Sequence, residues 1–184
     1  MAGRHEGFTL VELVATVAVL AVVLGLALPS FRVLAERMAA QATLHALTAA
    51  LASARMAAIQ RGRPVSVCPS SDGARCRMDL VWDEGWLVYA DPQRQPQPLR
   101  PEDILWVERR EPGSIAVRGT IGRHRVRYQP TGLSGGNNAG LRLCSRDGRH
   151  LGNVVVSLAG RTRSEWLRAD PAPPCPYPPR ARRA

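Results

Sequence analysis

The sequence predicts an α+β fold in which one long N-terminal α-helix precedes a compact antiparallel β domain. Three observations support this fold class: an apolar run over residues 8–28, helical spacing of Leu and Ala up to about residue 61, and short alternating apolar segments from residue 64 onward. The chain has 184 residues, so about 120 remain beyond the helix, enough for one domain with its own core.

The apolar run over residues 8–28 carries one charge, Glu12. A helix needs about 20 such residues to cross the hydrocarbon core of a membrane. A short leader containing Arg4 and His5 precedes the run. Because a basic leader favours the cytoplasmic side, we expect the chain beyond the run to be exported.

Three interpretations of this run compete. A cleaved secretory signal has a shorter apolar core, of roughly 7–15 residues, and a small-residue cleavage site; residues 27–30, Ala-Leu-Pro-Ser, match such a site poorly. A plain membrane anchor explains the length but not Glu12, because a carboxylate at a helix centre costs about 2.5–3.5 kcal/mol in a membrane. The third interpretation supplies a partner for this carboxylate.

Residues 7–12, Gly-Phe-Thr-Leu-Val-Glu, resemble the processing site of type IV prepilins. The resemblance implies that a prepilin peptidase cuts after Gly7 and methylates the amine of Phe8. It also implies that Glu12 pairs with the terminal ammonium of a neighbouring subunit in the filament. The family carries a proline after the apolar run, as Pro29 does here, and because proline removes a helix hydrogen bond we expect a kink or local melting at residues 28–29.

Helical spacing continues beyond Pro29 on an alanine-rich background, and Gly62 and Pro64 end it. We expect the Leu and Ala stripe of this second half to pack against a sheet, with His45 and Arg55 at surface or lightly packed positions. The spaced residues are Phe31, Leu34, Met38, Leu44, Leu47, Leu51, Ala54 and Ala58.

Candidate strands follow at residues 64–68, 85–90, 104–108, 114–118, 121–129, 141–144, 153–158 and 160–166. Within residues 121–129 the arginines Arg123, Arg125 and Arg127 stand at every second position. Period-two alternation would place all three on one sheet face, open to solvent or to a ligand, and we favour the solvated face.

Four cysteines in an exported chain indicate two disulfides, and three connectivities are possible. Cys68 and Cys76 form the favoured first pair, because the loop between them is rich in turn residues and short. Cys144 and Cys175 would then pair by elimination. Metal binding by these residues is poorly supported, since no Cys-x-x-Cys occurs and the histidines are scattered.

The net charge of +10 is unevenly distributed. From residue 112 to the end there are thirteen arginines against three acids, whereas the two charge types nearly balance before it. This asymmetry indicates a polyanionic partner. The chain contains no lysine, so general arginine enrichment accounts for part of the excess but not for the segregation of the acids.

The exported half resembles the GspH/FimT family of minor pilins and pseudopilins, whose members join a long N-terminal helix to a compact β domain. The resemblance implies a type IV pilin-like fold. The matching stretches are the loop from Cys68 to Cys76 and residues 85–91, 127–132, 141–144, 154–157 and 160–161.

FimT-like members of this family are associated with DNA uptake, and a C-terminal Gly-Arg-x-Arg element is implicated in their DNA binding. Residues 160–163, Gly160-Arg161-Thr162-Arg163, match that element. Two arginines at alternate strand positions share a face, and each guanidinium can bind a phosphate through two hydrogen bonds. We expect a Cys144–Cys175 disulfide to hold the C-terminal tail near this element. Arg168 and the tail arginines Arg180, Arg182 and Arg183 would then extend the basic surface around Arg161 and Arg163.

The resemblance implies a minor type IV pilin that is incorporated into pili and binds double-stranded DNA non-specifically for uptake in natural transformation. The alternative is a structural pseudopilin of type II secretion without a DNA role, whose basic half contacts acidic subunits. An exported enzyme has the least support, because no nucleophile motif, metal set or phosphate loop is found. We predict no catalytic residue, metal or cofactor; the expected partners are double-stranded DNA, prepilin peptidase, other pilin subunits and the inner membrane.

Five segments follow: a prepilin leader at 1–7, a transmembrane and filament-core helix at 8–28, its amphipathic continuation at 29–62, a β-rich domain at 63–170, and a Pro/Arg-rich tail at 171–184. Before assembly, the chain would span the bacterial inner membrane once with its C-terminal domain periplasmic. After assembly it would be part of the pilus.

Overall fold

The computed structural model describes residues 9–111, 113–120, 122–136, 138–167 and 175, without the side chains of residues 26, 29 and 30. The predicted processing site, Gly7 and Phe8, and most of the tail lie outside these residues. The chain divides into two units, Met1–Met38 and Ala39–Ala184. The predicted segment boundary after residue 28 concerns the membrane and stays a prediction.

One α-helix, α1, runs over Leu10–Arg61. Thr9 caps it, because its hydroxyl accepts a hydrogen bond from the backbone N–H of Glu12 at 3.3 Å, and so satisfies an amide that the first helical turn leaves unpaired. Residues 28 and 29 are both helical, so the predicted local melting is wrong. A proline removes only one N–H donor, and the turns on either side keep their own hydrogen bonds. A bend at this point stays a prediction.

In the first unit, the large apolar side chains of the helix are exposed. Leu10 is 78% exposed and Phe31 is 71% exposed. An apolar surface this extensive marks a site that is covered by membrane or by other protein. By length and composition alone, Phe31–Arg61 is apolar enough to cross a membrane and Leu10–Gly25 is a shorter apolar stretch. The later part of Phe31–Arg61 is buried within the second unit, as in the core helix of a folded domain.

The second unit contains two four-stranded antiparallel sheets, which confirms the predicted fold class. The strands are β1 Val65–Pro69, β2 Gly85–Ala90, β3 Ile104–Arg109, β4 Ile115–Gly119, β5 Val126–Tyr128, β6 Ala139–Ser145, β7 His150–Val156 and β8 Thr162–Trp166, with a short 3-10 helix at Pro101–Asp103 before β3. The first sheet has the strand order β3-β2-β1-β5 and the second has the order β4-β6-β7-β8.

The helix and both sheets share one core. The predicted helical stripe is confirmed from Leu44 onward: Leu47 and Leu51 are fully buried and belong to the same core cluster as Trp86 of the first sheet and Val117 of the second. Burial of one such leucine stabilises the fold by roughly 1.5–3 kcal/mol. Gly62, at φ +58°, follows the last helical residue as predicted.

The predicted strand at 121–129 is shorter than expected. Only Val126–Tyr128 is extended, because the chain first turns at Thr120, whose carbonyl accepts a hydrogen bond from the N–H of Arg123 at 3.0 Å. Gly122 within this turn has φ +78°, a left-handed conformation that a glycine adopts without steric cost. The turn carries the chain from the second sheet to the first, a change of sheet that the alternation of residues does not encode.

The prediction that Arg123, Arg125 and Arg127 share a solvated face is therefore wrong. All three side chains are partly buried and each has a partner within the domain. Burial lowers the pKa of Arg127. Arg127 Nε lies 3.4 Å from Oδ2 of the buried Asp91, and Arg123 and Arg125 each donate to a backbone carbonyl at 3.2 Å, those of Gly135 and Arg94 respectively.

Both favoured disulfides are confirmed. The Cα atoms are 5.5 Å apart in Cys68–Cys76 and 5.8 Å apart in Cys144–Cys175. The first bridge packs with the buried Leu87 on the outer face of the first sheet. No cysteine among the described residues has a free thiol.

Replacing Cys68 and Cys76 together by serine should lower the free energy of unfolding by about 2–3 kcal/mol, since the bridge restricts a short loop in the unfolded chain. The full chain in a neutral detergent, unfolded by denaturant under oxidising conditions, provides the measurement. A loss below about 0.5 kcal/mol would show that core packing alone holds this loop.

Candidate nucleic-acid interface

The Gly-Arg-x-Arg element forms the tight turn between β7 and β8. The backbone N–H of Ser157 donates to the carbonyl of Arg161 at 3.0 Å, and the N–H of Gly160 donates to the carbonyl of Ser157 at 2.8 Å. The Ser157 hydroxyl also accepts from the N–H of Arg161 at 3.2 Å. Three hydrogen bonds therefore fix the backbone on either side of the first motif arginine.

Gly160 has a conformational role in this turn. Its φ of +73° lies in the left-handed region, which costs a residue with a side chain about 1–2 kcal/mol. A Cβ atom at this position would also overlap the carbonyl oxygen of Gly132. The glycine of the motif is thus required by the shape of the turn, which sets where Arg161 begins.

A second turn of the same form lies against the first. The N–H of Gly132, at φ +78°, donates to the carbonyl of Gln129 at 2.8 Å, and the N–H of Gln129 donates to the carbonyl of Leu133 at 2.8 Å. The N–H of Ser134 donates to the carbonyl of Leu158 at 3.0 Å, which joins the two turns. Each turn supports the other.

Arg55 of the helix connects both turns to the core. Its Nε donates to the carbonyl of Gly132 at 3.0 Å, and its Nη2 donates to the carbonyl of Ala159 at 3.2 Å. These are the carbonyls that tight turns leave pointing outward. The prediction of a lightly packed surface position missed this function, because the two acceptors are distant in sequence. The position of Arg55 beside Ala54 of the buried stripe is a signal that its side chain reaches the edge of the core.

Thr162, the variable residue of the motif, points inward. Its hydroxyl lies 3.2 Å from the hydroxyl of Tyr128 in the first sheet. Burial raises the pKa of Tyr128, partly offset by this hydrogen bond and by the charge of Arg55. Thr162 therefore links the two sheets directly behind the turn, and Arg163 on the alternate position faces away from the core.

The two motif arginines have different surroundings. Ser157 and Arg161 form the last hydrogen-bonded pair of the hairpin, so strand alternation continues back to Arg161 and places it on the face of Arg163. The Arg161 side chain is exposed and makes no hydrogen bond or ion pair with any described residue. Arg163 Nε lies 3.0 Å from Oε1 of Glu165. Alternation could have predicted Glu165 on this face, but the sequence interpretation omitted it.

Apart from Arg161 and Arg163, most of the described arginines after residue 112 bind groups within the domain. Arg118 forms an ion pair with Asp83 and is almost fully buried, and the three arginines before β5 and within it are bound as described. Among all the described arginines after residue 112, the exposed side chains are those of Arg146, Arg149, Arg161 and Arg163. Among the described residues, the exposed arginines of the basic half therefore lie at two places, the β7–β8 turn and the β6–β7 hairpin.

These two places lie at opposite ends of β7. Arg146 and Arg149 belong to the hairpin before His150–Val156, and Arg161 follows that strand. A strand of this length rises about 20 Å. Because charges at physiological salt are screened over about 8 Å, the two basic ends act independently.

The tail is anchored at the hairpin end. The N–H of Cys175 donates to the carbonyl of Gly148, and its disulfide joins Cys144. The expectation that this bridge holds the tail beside the Gly160 turn is therefore wrong at Cys175 itself, because β6 places Cys144 away from the β7–β8 turn. Arg168 and the tail arginines lie outside the described residues, and their DNA contacts stay a prediction. The tail arginines are Arg180, Arg182 and Arg183.

A cavity of about 300 Å³ elsewhere on the domain is lined by Ser71, Glu84, Arg109, Arg110 and Glu111. Its two arginines and two glutamates balance, so it presents no charge excess that would attract a polyanion. Within the described ranges, no group of three or more His, Cys, Asp or Glu side chains could hold a metal ion.

Replacing Arg55 by methionine should lower the free energy of unfolding by about 1.5–3 kcal/mol, because two backbone carbonyls lose a charged donor while the apolar packing of the side chain is kept. Chemical unfolding of the full chain in neutral detergent measures this loss. Arg37→Met, an exposed arginine of the same helix, is the matched control. Equal effects of the two replacements would contradict the anchoring role.

Comparison with known proteins agrees with this architecture. Residues 43–160 match the family model of the type II transport protein GspH, and residues 3–28 match the prokaryotic N-terminal methylation motif. No curated protein sequence matches the chain significantly. The GspH match ends at Gly160, so it does not extend to the two motif arginines.

Solved structures with a similar fold include the type IV minor pilin FimU of Pseudomonas aeruginosa. In one crystal form it is 20% identical, with a TM-score of 0.50, covering 74% of this chain and 99% of FimU; in another it is 19% identical, with a TM-score of 0.51, covering 77% and 98%. The minor pseudopilin EpsH of the type 2 secretion system of Vibrio cholerae is 10% identical, with a TM-score of 0.49, covering 71% and 98%.

The methylation motif and the apolar helix indicate membrane anchoring before assembly, processing by prepilin peptidase and contact with other pilin subunits. The GspH model covers more than half of the chain, and the fold is similar to that of FimU. The chain belongs to the GspH family of minor type IV pilins and pseudopilins.

Proposed function

We propose that this chain is a minor type IV pilin that binds double-stranded DNA through the β7–β8 turn and contributes to DNA uptake in natural transformation. In this proposal the chain spans the inner membrane with its β domain periplasmic, is cut after Gly7, and enters a pilus. Glu12 pairs with the terminal ammonium of a neighbouring subunit. The chain acts by binding and has no catalytic role.

The exposed, unpaired guanidinium of Arg161 on a fixed turn is the observation that carries the proposal. Most other described arginines of the basic half are bound within the domain, whereas this one is held out by Gly160 and by the backbone hydrogen bonds of Ser157. A preformed turn loses little conformational entropy on binding. The ordered backbone therefore lets Arg161 contact a ligand at a low entropic cost.

Contact through arginine side chains to phosphates is independent of base sequence. Such binding has a dissociation constant of roughly 10⁻⁴–10⁻⁶ M at physiological salt and weakens as salt rises. A single turn with two arginines provides a weak contact. Several subunits on one pilus that engage one duplex would raise the overall affinity without new contacts in any one of them.

The Arg161→Ala/Arg163→Ala variant should bind a fluorescein-labelled duplex at least about ten-fold more weakly at low salt, because two phosphate contacts are removed. The slope of log affinity against log salt should fall by roughly 0.9 for each lost contact. Fluorescence anisotropy of the full chain in neutral detergent, over a salt series, measures both quantities.

The matched control is Arg146→Ala/Arg149→Ala, which removes the same charge from exposed side chains at the opposite end of β7. We expect its affinity to change by less than about two-fold. Equal losses in both variants would show that DNA follows the net charge of the domain and not the turn. Absence of binding by the unmodified chain at low salt would contradict DNA capture altogether.

A structural pseudopilin of type II secretion is the second candidate. The specific observation in its favour is that the matched family model is described as a type II transport protein and ends before Arg161. On this alternative, Arg161 contacts an acidic neighbouring subunit. Failure of the full chain to bind duplex DNA would favour it.

A further inference from the structure

Glu165 lies beside the second motif arginine on the edge strand of the second sheet. The Arg163 side chain is 70% exposed and that of Glu165 is 44% exposed. The residues across β7 offer neither of them a charged alternative, because Arg163 is opposite Val155 and Glu165 is opposite Asn153. Within the part of the chain that the structure describes, the two side chains pair only with each other, at the rim of the proposed DNA site.

We propose that Glu165 competes with DNA phosphates for Arg163, so that Arg161 makes the first phosphate contact and Arg163 joins only after a phosphate displaces the carboxylate. This inference rests on the proposed DNA binding. Glu165 sets the affinity of the site and makes its two arginines unequal.

Displacement is feasible because the pair is exposed. A carboxylate and a phosphate oxygen both accept charge-assisted hydrogen bonds from a guanidinium, in similar geometry. Exposed ion pairs shift an equilibrium by only about 1.5- to five-fold. A phosphate held nearby by Arg161 gains a high effective concentration at Arg163, which is sufficient to replace so weak a partner.

The hairpin at the other end of β7 contains a comparable exposed ion pair and provides an internal control. Arg149 Nε lies 2.7 Å from Oδ2 of Asp147, and the two residues are two positions apart, as are Arg163 and Glu165. The Asp147→Asn variant therefore removes one carboxylate from an exposed ion pair, with the same change in net charge, about 20 Å from the motif turn.

The experiment measures duplex binding by the full chain in neutral detergent for Glu165→Gln, Asp147→Asn, Arg161→Ala, Arg163→Ala and Arg163→Ala/Glu165→Gln. Glu165→Gln should tighten binding by about two- to five-fold, and Asp147→Asn by less than about 1.5-fold. In the Arg163→Ala background, Glu165→Gln should have no larger effect than Asp147→Asn. Arg161→Ala should weaken binding more than Arg163→Ala does.

Equal effects of Glu165→Gln and Asp147→Asn would overturn the inference, since only net charge would then matter. An effect of Glu165→Gln that persists without Arg163 would overturn it as well. These results differ from failure of the proposed function, in which the unmodified chain does not bind duplex DNA. Glutamine matches glutamate in shape, and an unchanged melting temperature of Glu165→Gln excludes altered folding as the cause of any change.

Discussion

The tight turns at Gly132 and Gly160 pack against each other and are both hydrogen-bonded by Arg55, and this packing determines where the protein presents its basic surface. The turns at Gly160 and Gly132 can pack this closely only because residue 160 has no Cβ atom, which would overlap the carbonyl oxygen of Gly132. Arg55 then binds that carbonyl and the one of Ala159 from the helix. The helix that carries Arg55 shares one core with both sheets. Arg55 therefore fixes the position of the turn relative to the most buried part of the domain.

This arrangement separates two roles that arginine has in the chain. Inside the domain, guanidinium groups hold separate segments together by binding carbonyls and carboxylates, as Arg55 and Arg118 do. On the surface of the domain, the Arg161 side chain has no partner among the described residues, and its charge is available to a ligand. The net charge of +10 is therefore a poor measure of the surface available to a polyanion.

Much of the fold follows from local sequence pattern, and the candidate site follows only in part. The Leu44 to Ala58 stripe and the Cys68–Cys76 pair were predictable because helical period and short loops are local properties, and Cys144–Cys175 followed by elimination. Arg123 and Arg125 were assigned to a strand because alternation does not reveal where the chain changes sheets. The function of Arg55 was missed because its acceptors are 77 and 104 residues away. The Gly160 turn was recognisable from its motif, whereas its dependence on Gly132 required the tertiary contact.

Amide hydrogen exchange of the full chain, followed by mass spectrometry with and without saturating duplex DNA, tests the central claim directly. If the β7–β8 turn is the contact, peptides that cover residues 157–167 and the adjoining 129–135 will exchange more slowly with DNA, and the peptide that covers 144–150 will be unchanged. Protection centred on the 144–150 hairpin, or no protection at any of these segments, would contradict the account.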